Sequence, residues 1–119
     1  MNRDLASLDG IFAQDYSVNG VLIGLNGVKQ AVEFLHTALA DVSAELNELI
    51  SEGDKVVIRW TVRGRHVEDF MGVPATGRLI ELQGINIYHL VDGRINSNHE
   101  QTNILAVIQS LKAAGKSVA

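Results

Sequence analysis

The groups best suited to move protons in this 119-residue chain are two histidines, His66 and His99, because imidazole titrates near neutrality. Around them stand side chains suited to holding a ligand. Asn103 and Gln101 carry amides that both donate and accept hydrogen bonds, Tyr16 is placed as a pocket-wall residue, and Trp60 as core or pocket wall. His99, Gln101 and Asn103 belong to one run, Arg94 to Asn103, in which side chains alternate between two faces. Ile95, Ser97, His99, Gln101 and Asn103 share one face, read as inward; Asn96, Asn98, Glu100 and Thr102 share the other, with Glu100 toward solvent or a partner. Neither set is apolar. A central strand this polar is costly to bury unless its groups find partners, which points to a functional cavity. His66 joins the core side if the alternation of Val56, Ile58, Trp60 and Val62 continues through Gly64, whereas a bulge at Gly64 reverses it. Two plainer roles compete: His66 as a loop-edge histidine bonded to backbone, and Asn103 as the cap of a terminal helix.

Composition removes several classes of function. Cysteine is absent, which excludes disulfides, thiolate metal sites and cysteine nucleophiles and fits a reducing cytoplasm. Lys and Arg are scattered and the formal net charge is -4, so no basic face for nucleic acid is expected. No apolar run approaches a membrane span, and Met1-Asn2-Arg3-Asp4 is not followed by the apolar core of a secretory signal. No glycine loop for phosphates and no nucleophilic serine motif is visible, so no cofactor is expected. His66 and His99 have no chelating spacing, so no metal is expected either.

The elements that position these residues follow from periodicity and turn chemistry. One domain over 1–119 is expected. Leu5, Leu8, Ile11 and Phe12 suggest a short first helix from Asp4 to Ala13, with Asp4 placed to cap and Gly10 weakening it. Asp15 to Gly20 then leaves the helix, and Val21 to Ile23 forms a short strand. Asn26-Gly27 opens a second helix, lined by Val28, Ala31, Val32, Leu35 and Leu39, that runs to about Ala40. Strands follow at Asp41–Ser51, Lys55–Arg65, Arg78–Val91 and Arg94–Asn103, joined by Glu52-Gly53-Asp54, a turn-rich loop from His66 to Gly77, and Asp92-Gly93. The strand from Leu79 to Val91 is apolar on both faces, Ile80, Leu82, Tyr88 and Leu90 on one and Leu79, Ile85, Ile87 and Val91 on the other. Such a strand is covered on both sides, and a homodimer through the outer sheet face is the economical cover. A last helix from Ile104 to Ala114 stops at Gly115. The order predicts an α+β fold, a curved antiparallel sheet with helices on its concave face.

The stretch Gly64-Arg65-His66-Val67-Glu68-Asp69-Phe70-Met71-Gly72-Val73-Pro74-Ala75-Thr76-Gly77-Arg78 resembles the signature of SnoaL-like polyketide cyclases. Glu52-Gly53-Asp54-Lys55-Val56 and Asp92-Gly93-Arg94-Ile95 extend the likeness in register, and a looser similarity runs from about Asp4 to Leu111. The resemblance implies the cone-shaped nuclear transport factor 2-like fold, with a truncated first helix that leaves one wall open or supplied by a partner. That fold hosts both enzymes and binders. His66 matches the motif histidine, Phe70 lies in the same motif as a substrate-binding candidate, and Asn19 stands near where relatives often carry a histidine. The family's last strand ends on an aspartate proposed as general acid/base. Asn103 takes that position here, and an amide cannot serve as a base.

The resulting expectation is a cofactor-free enzyme of cyclase, isomerase or hydratase type acting on a small hydrophobic, carbonyl-bearing molecule. His66 and His99 would move protons while Asn103, Gln101, Trp60, Tyr16, Asn19 and Phe70 hold the substrate. His99 can equally be a packing substitute for the family's tryptophan. The alternative is a non-catalytic ligand-binding or dimerisation module, and a third reading makes the chain dependent on a partner at its open wall.

Overall fold

The computed structural model describes residues 5–116. After a 3-10 turn at Ala6–Gly10, the elements are β1 (Phe12–Val18), β2 (Val21–Leu22), α1 (Gly24–Ala38), β3 (Leu39–Glu52), β4 (Lys55–His66), β5 (Leu79–Val91), β6 (Arg94–Thr102) and α2 (Ile104–Lys116). They form an α+β fold around one six-stranded sheet ordered β2-β1-β6-β5-β4-β3. The sheet is mixed, since β1 runs parallel to β6 while every other pair is antiparallel.

The expected first helix shrinks to the 3-10 turn, and Phe12–Val18 is a strand. Gly10 weakens helix, and Phe12, Tyr16 and Val18 suit a strand that pairs with β6, with a shift in register between Phe12 and Ser17. Asn19-Gly20, with φ of 50° and 83°, closes the two-residue turn to β2. Helix α1 starts two residues before the expected Asn26, with Val28, Ala31, Val32 and Leu35 over the sheet, and passes at once into β3 through an extended Leu39. Helix α2 runs through Gly115 instead of stopping there, and the proposed Asp4 cap lies outside the described residues.

The core sits at one end of the cone. Ala38, Leu39, Val62, Phe70, Val73, Ile80, Leu82 and Leu111 are buried together where α1, the 67–78 loop and α2 converge. Gly64 permits this closure, because a Cβ there would press on the Leu39 side chain and the Ala40 carbonyl. The β4–β5 ladder runs without a slip from Lys55↔His89 to Arg65↔Leu79, so His66 does lie on the inward side. The outward set of β5 is exposed as the alternation required: Leu79 is 80% exposed, Ile85 48% and Ile87 42%.

The inward face of β6 is the reverse of the expected one. His89↔Ser97 is followed by Leu90↔Ile95, which leaves Asn96 as an extra residue. Ile95 shares the face of Leu90, but the bulge flips the alternation beyond it. Asn98 is buried and Glu100 half-buried on the concave side, while His99 and Gln101 are exposed on the outer side opposite Ile87 and Ile85.

Trp60 lies on the concave face with its indole over Gly84, where any Cβ would overlap the ring. Gly84→Ala is therefore expected to destabilise the fold by about 2 kcal/mol through overpacking. Urea unfolding monitored at Trp60, the only tryptophan, measures this, and its emission in the folded state should shift as the ring is displaced.

Candidate active site

A cavity of about 640 Å³ opens between α1 and the concave faces of β1, β4, β5 and β6. Its walls are apolar: Val28, Val32 and Leu35 from the helix, Ile58, Val62 and Leu82 from the sheet. Against them one polar patch gathers Tyr16, Trp60, Asn86, Tyr88, Asn98 and Glu100. The strand ladder makes the patch contiguous, since Asn86 faces Glu100 and Tyr88 faces Asn98 across the β5–β6 pair.

One short hydrogen-bond chain organises it. The Trp60 indole N–H donates to Asn86 Oδ1 at 3.1 Å, and Asn86 Nδ2 donates to the Tyr88 hydroxyl at 2.9 Å. The Asn98 side chain lies against the Tyr16 hydroxyl and acts to lower its pKa, opposing the effect of burial. A hydroxyl that has accepted from an amide keeps its own proton for another acceptor. Tyr88 is thus a prepared donor, and Tyr16 stands with it on one apolar cavity.

Burial controls the charges. It pushes the Tyr16 hydroxyl up to about 12 and raises Tyr88 as well, so both remain protonated donors at neutral pH. Glu100 is likewise raised above the ordinary carboxylate value by desolvation. Its charge in turn helps to keep both tyrosines protonated. The Glu100 backbone is gripped by Asn19, whose Oδ1 accepts from the Glu100 N–H at 2.8 Å and whose Nδ2 donates to the Glu100 carbonyl at 3.2 Å. Asn19 reaches it from the left-handed turn conformation that asparagine tolerates. Such a site can take a proton from carbon and stabilise the oxyanion that forms.

The sequence-derived candidates divide on this geometry. Tyr16 and Trp60 line the cavity; His66, His99, Gln101, Asn103, Phe70 and Asn19 do not. His66 is fully buried beside it. Its Nδ1 accepts from the Thr76 N–H at 3.2 Å and lies 2.9 Å from Thr76 Oγ1, while Nε2 lies 3.2 Å from the Val73 carbonyl. That network assigns the Nε2–H tautomer and uses both ring nitrogens to pin the 67–78 loop. Phe70 packs in the core, its ring 5.5 Å from Phe34 and 6.1 Å from His66. His99 and Gln101 are turned away by the Asn96 bulge. Asn103 carries the first helical carbonyl of α2, but its side chain is spent on β5, accepting from Gln83 N–H at 2.9 Å and donating to the Glu81 carbonyl at 3.2 Å. The two imidazoles are therefore not brought together, and neither amide lines this cavity. The residues missed were Asn86, Tyr88, Asn98 and Glu100. Asn86 was findable, being a polar residue within the inward set Ile80, Leu82 and Tyr88.

Among the described residues, no three metal-ligating side chains converge, and no helix is long and apolar enough to cross a membrane. The family model for SnoaL-like polyketide cyclases matches residues 1–111. The chain is 32% identical over 95 residues to the aklanonic acid methyl ester cyclases DnrD of Streptomyces peucetius and DauD of Streptomyces sp. strain C5. Each match takes in 78% of this chain but only 65% and 58%, respectively, of those proteins' lengths. The fold is similar to that of TsrD from Streptomyces laurentii, with a TM-score of 0.84 and 29% identity over 92% of this chain and 83% of that one.

Because His66 serves the loop, His66→Ala should cost about 3 kcal/mol by leaving a cavity and unpaired Thr76 and Val73 groups. Urea unfolding measures the loss. Ligand affinity in the concave cavity should change less than twofold when titrated under conditions where the variant stays folded.

Proposed function

The chain belongs to the SnoaL-like polyketide cyclase family, and from that membership we propose that it catalyses an acid–base ring closure on a hydrophobic, carbonyl-bearing small molecule held in the concave cavity. The observation that carries this reading is a desolvated carboxylate, Glu100, beside two phenolic donors in an apolar chamber. Glu100 takes over the proton-moving role that the sequence suggested for His66 and His99. Its carboxylate removes a proton from the carbon next to a substrate carbonyl. The electron pair of that C–H bond moves into an enolate, whose oxygen accepts hydrogen bonds from the tyrosine hydroxyls. The enolate carbon then attacks a second carbonyl of the same molecule. One C–C bond forms, the second carbonyl's π pair moves to its oxygen, and that oxygen recovers the proton from Glu100. Substrate and product are isomers. An isomerase would use the same first step and return the proton to a different carbon.

Aklanonic acid methyl ester, the compound in the names of DnrD and DauD, is the first substrate to test. The base works ionised, so kcat/KM should rise with pH through an apparent value above the 4.5 of an ordinary glutamate. Glu100→Gln should lower kcat by about 10²–10⁴-fold. The same raised pKa has a stability signature. In the fold the protonated form is favoured, so the contribution to stability is full below the unfolded value near 4.5 and is lost as pH rises through the folded value. Glu100→Gln should therefore melt higher than the native chain at pH 7 and lose that pH dependence. Turnover unaffected by Glu100→Gln rules out the carboxylate as base. Binding without turnover in the native chain assigns a ligand-binding module instead.

The outer sheet face supports a homodimer. Ile50, Ile85 and Ile87 lie exposed on it, with the Arg59–Glu48 ion pair alongside. Light scattering at micromolar concentration should give twice the mass of the chain, and Ile87→Lys should return it to a monomer. The cysteine-free composition supports a cytoplasmic setting.

A further inference from the structure

One acceptor in the cavity wall is left without a partner. Asn98 is 3% exposed, and its Oδ1 is buried with no hydrogen-bond partner. The residue cannot easily turn to satisfy it. Its side chain lies against Tyr16, and its backbone carbonyl accepts from the Asn19 N–H at 2.9 Å. Asn98 also lines the cavity directly across the ladder from Tyr88. A buried acceptor held in place and unpaired lowers stability until a donor reaches it.

We propose that Asn98 Oδ1 is a specificity subsite that accepts a hydrogen bond from a hydroxyl of the substrate. The inference rests on the concave cavity being the substrate site. It narrows the substrate class to molecules that carry an enol or phenol hydroxyl close to the carbonyl received by Tyr16 and Tyr88. A 1,3-dicarbonyl in its enol form and an aryl ketone with a neighbouring phenol both qualify. In the rest of the polar patch the Asn86 amide oxygen already accepts from Trp60 and the Tyr88 hydroxyl from Asn86, so Asn98 Oδ1 is the neutral acceptor left unpaired, one that distinguishes a free hydroxyl from its ether.

The test uses two aromatic probes of similar shape, 2-naphthol and 2-methoxynaphthalene. Both can accept from the tyrosines, and only the naphthol can donate to Asn98. Affinities are read from quenching of Trp60, which lines the same cavity and is the only tryptophan. The native chain should bind 2-naphthol about tenfold more tightly, the effect of one buried hydrogen bond. Asn98→Leu, close in size and without an acceptor, should erase the preference while still binding 2-methoxynaphthalene. Asn98→Asp, which keeps an acceptor, should preserve it. Equal binding of the two probes by the native chain, or a preference for the ether, overturns the subsite and leaves the cavity reading standing. A preference that survives in Asn98→Leu also overturns it. Failure of both probes to bind the native chain removes the cavity reading, and the subsite with it. The comparison within the native chain needs no variant to fold.

Discussion

The pairing of β5 with β6, and the single extra residue Asn96 within it, is the constraint on which the rest of the site depends. Side chains alternate strictly along a strand, so one inserted residue exchanges the two faces beyond it. Here the exchange brings Asn98 and Glu100 opposite Tyr88 and Asn86 on the concave side. Without it, His99 and Gln101 would stand in the cavity and Glu100 in solvent. The neighbouring parallel strand β1 then completes the arrangement. It places Tyr16 beside the Asn98 side chain, and the turn at its end supplies Asn19 to the Glu100 backbone.

The cone divides its polar groups between two kinds of work. At the closed end, His66 and Asn103 have all their strong hydrogen-bonding atoms committed to backbone or to Thr76, and they hold a loop and a helix start in place. Their chemistry is used up in the fold. At the open end, the tyrosines, Asn98 and Glu100 are only partly satisfied, within walls that offer no competing partner. A group commits to structure when its surroundings pair it fully. It stays available to a ligand when they do not.

Desolvation sets both halves of the proposed chemistry. The same apolar walls that strengthen Glu100 as a base keep Tyr16 and Tyr88 protonated and able to donate. The Asn86 amide orients the Tyr88 hydroxyl without adding charge. Trp60 and Gly84 support the arrangement from beneath, because the indole reaches Asn86 only by lying where residue 84 has no side chain.

Much of the scaffold was legible in the residues themselves. Turn pairs such as Asp92-Gly93, the apolar set of α1 and the two-faced apolar run of β5 determine local structure through backbone preference and periodicity, which act over a few residues. The motif around His66 marked the family and the position of the loop. Tyr16 and Trp60 as pocket walls, and the polarity of β6 as the sign of a cavity, were also readable. The tertiary structure alone decided which face of β6 looks inward, because a bulge is set by pairing with β5 and leaves no local mark at Asn96. It alone turned Phe12–Val18 into a strand, since the partner that stabilises it is β6, some eighty residues along the chain. And it alone showed that His66 and Asn103 are consumed by the fold while Glu100 and Asn98 face the cavity. Whether a polar atom is satisfied depends on neighbours distant in sequence, and those are fixed only when the sheet closes.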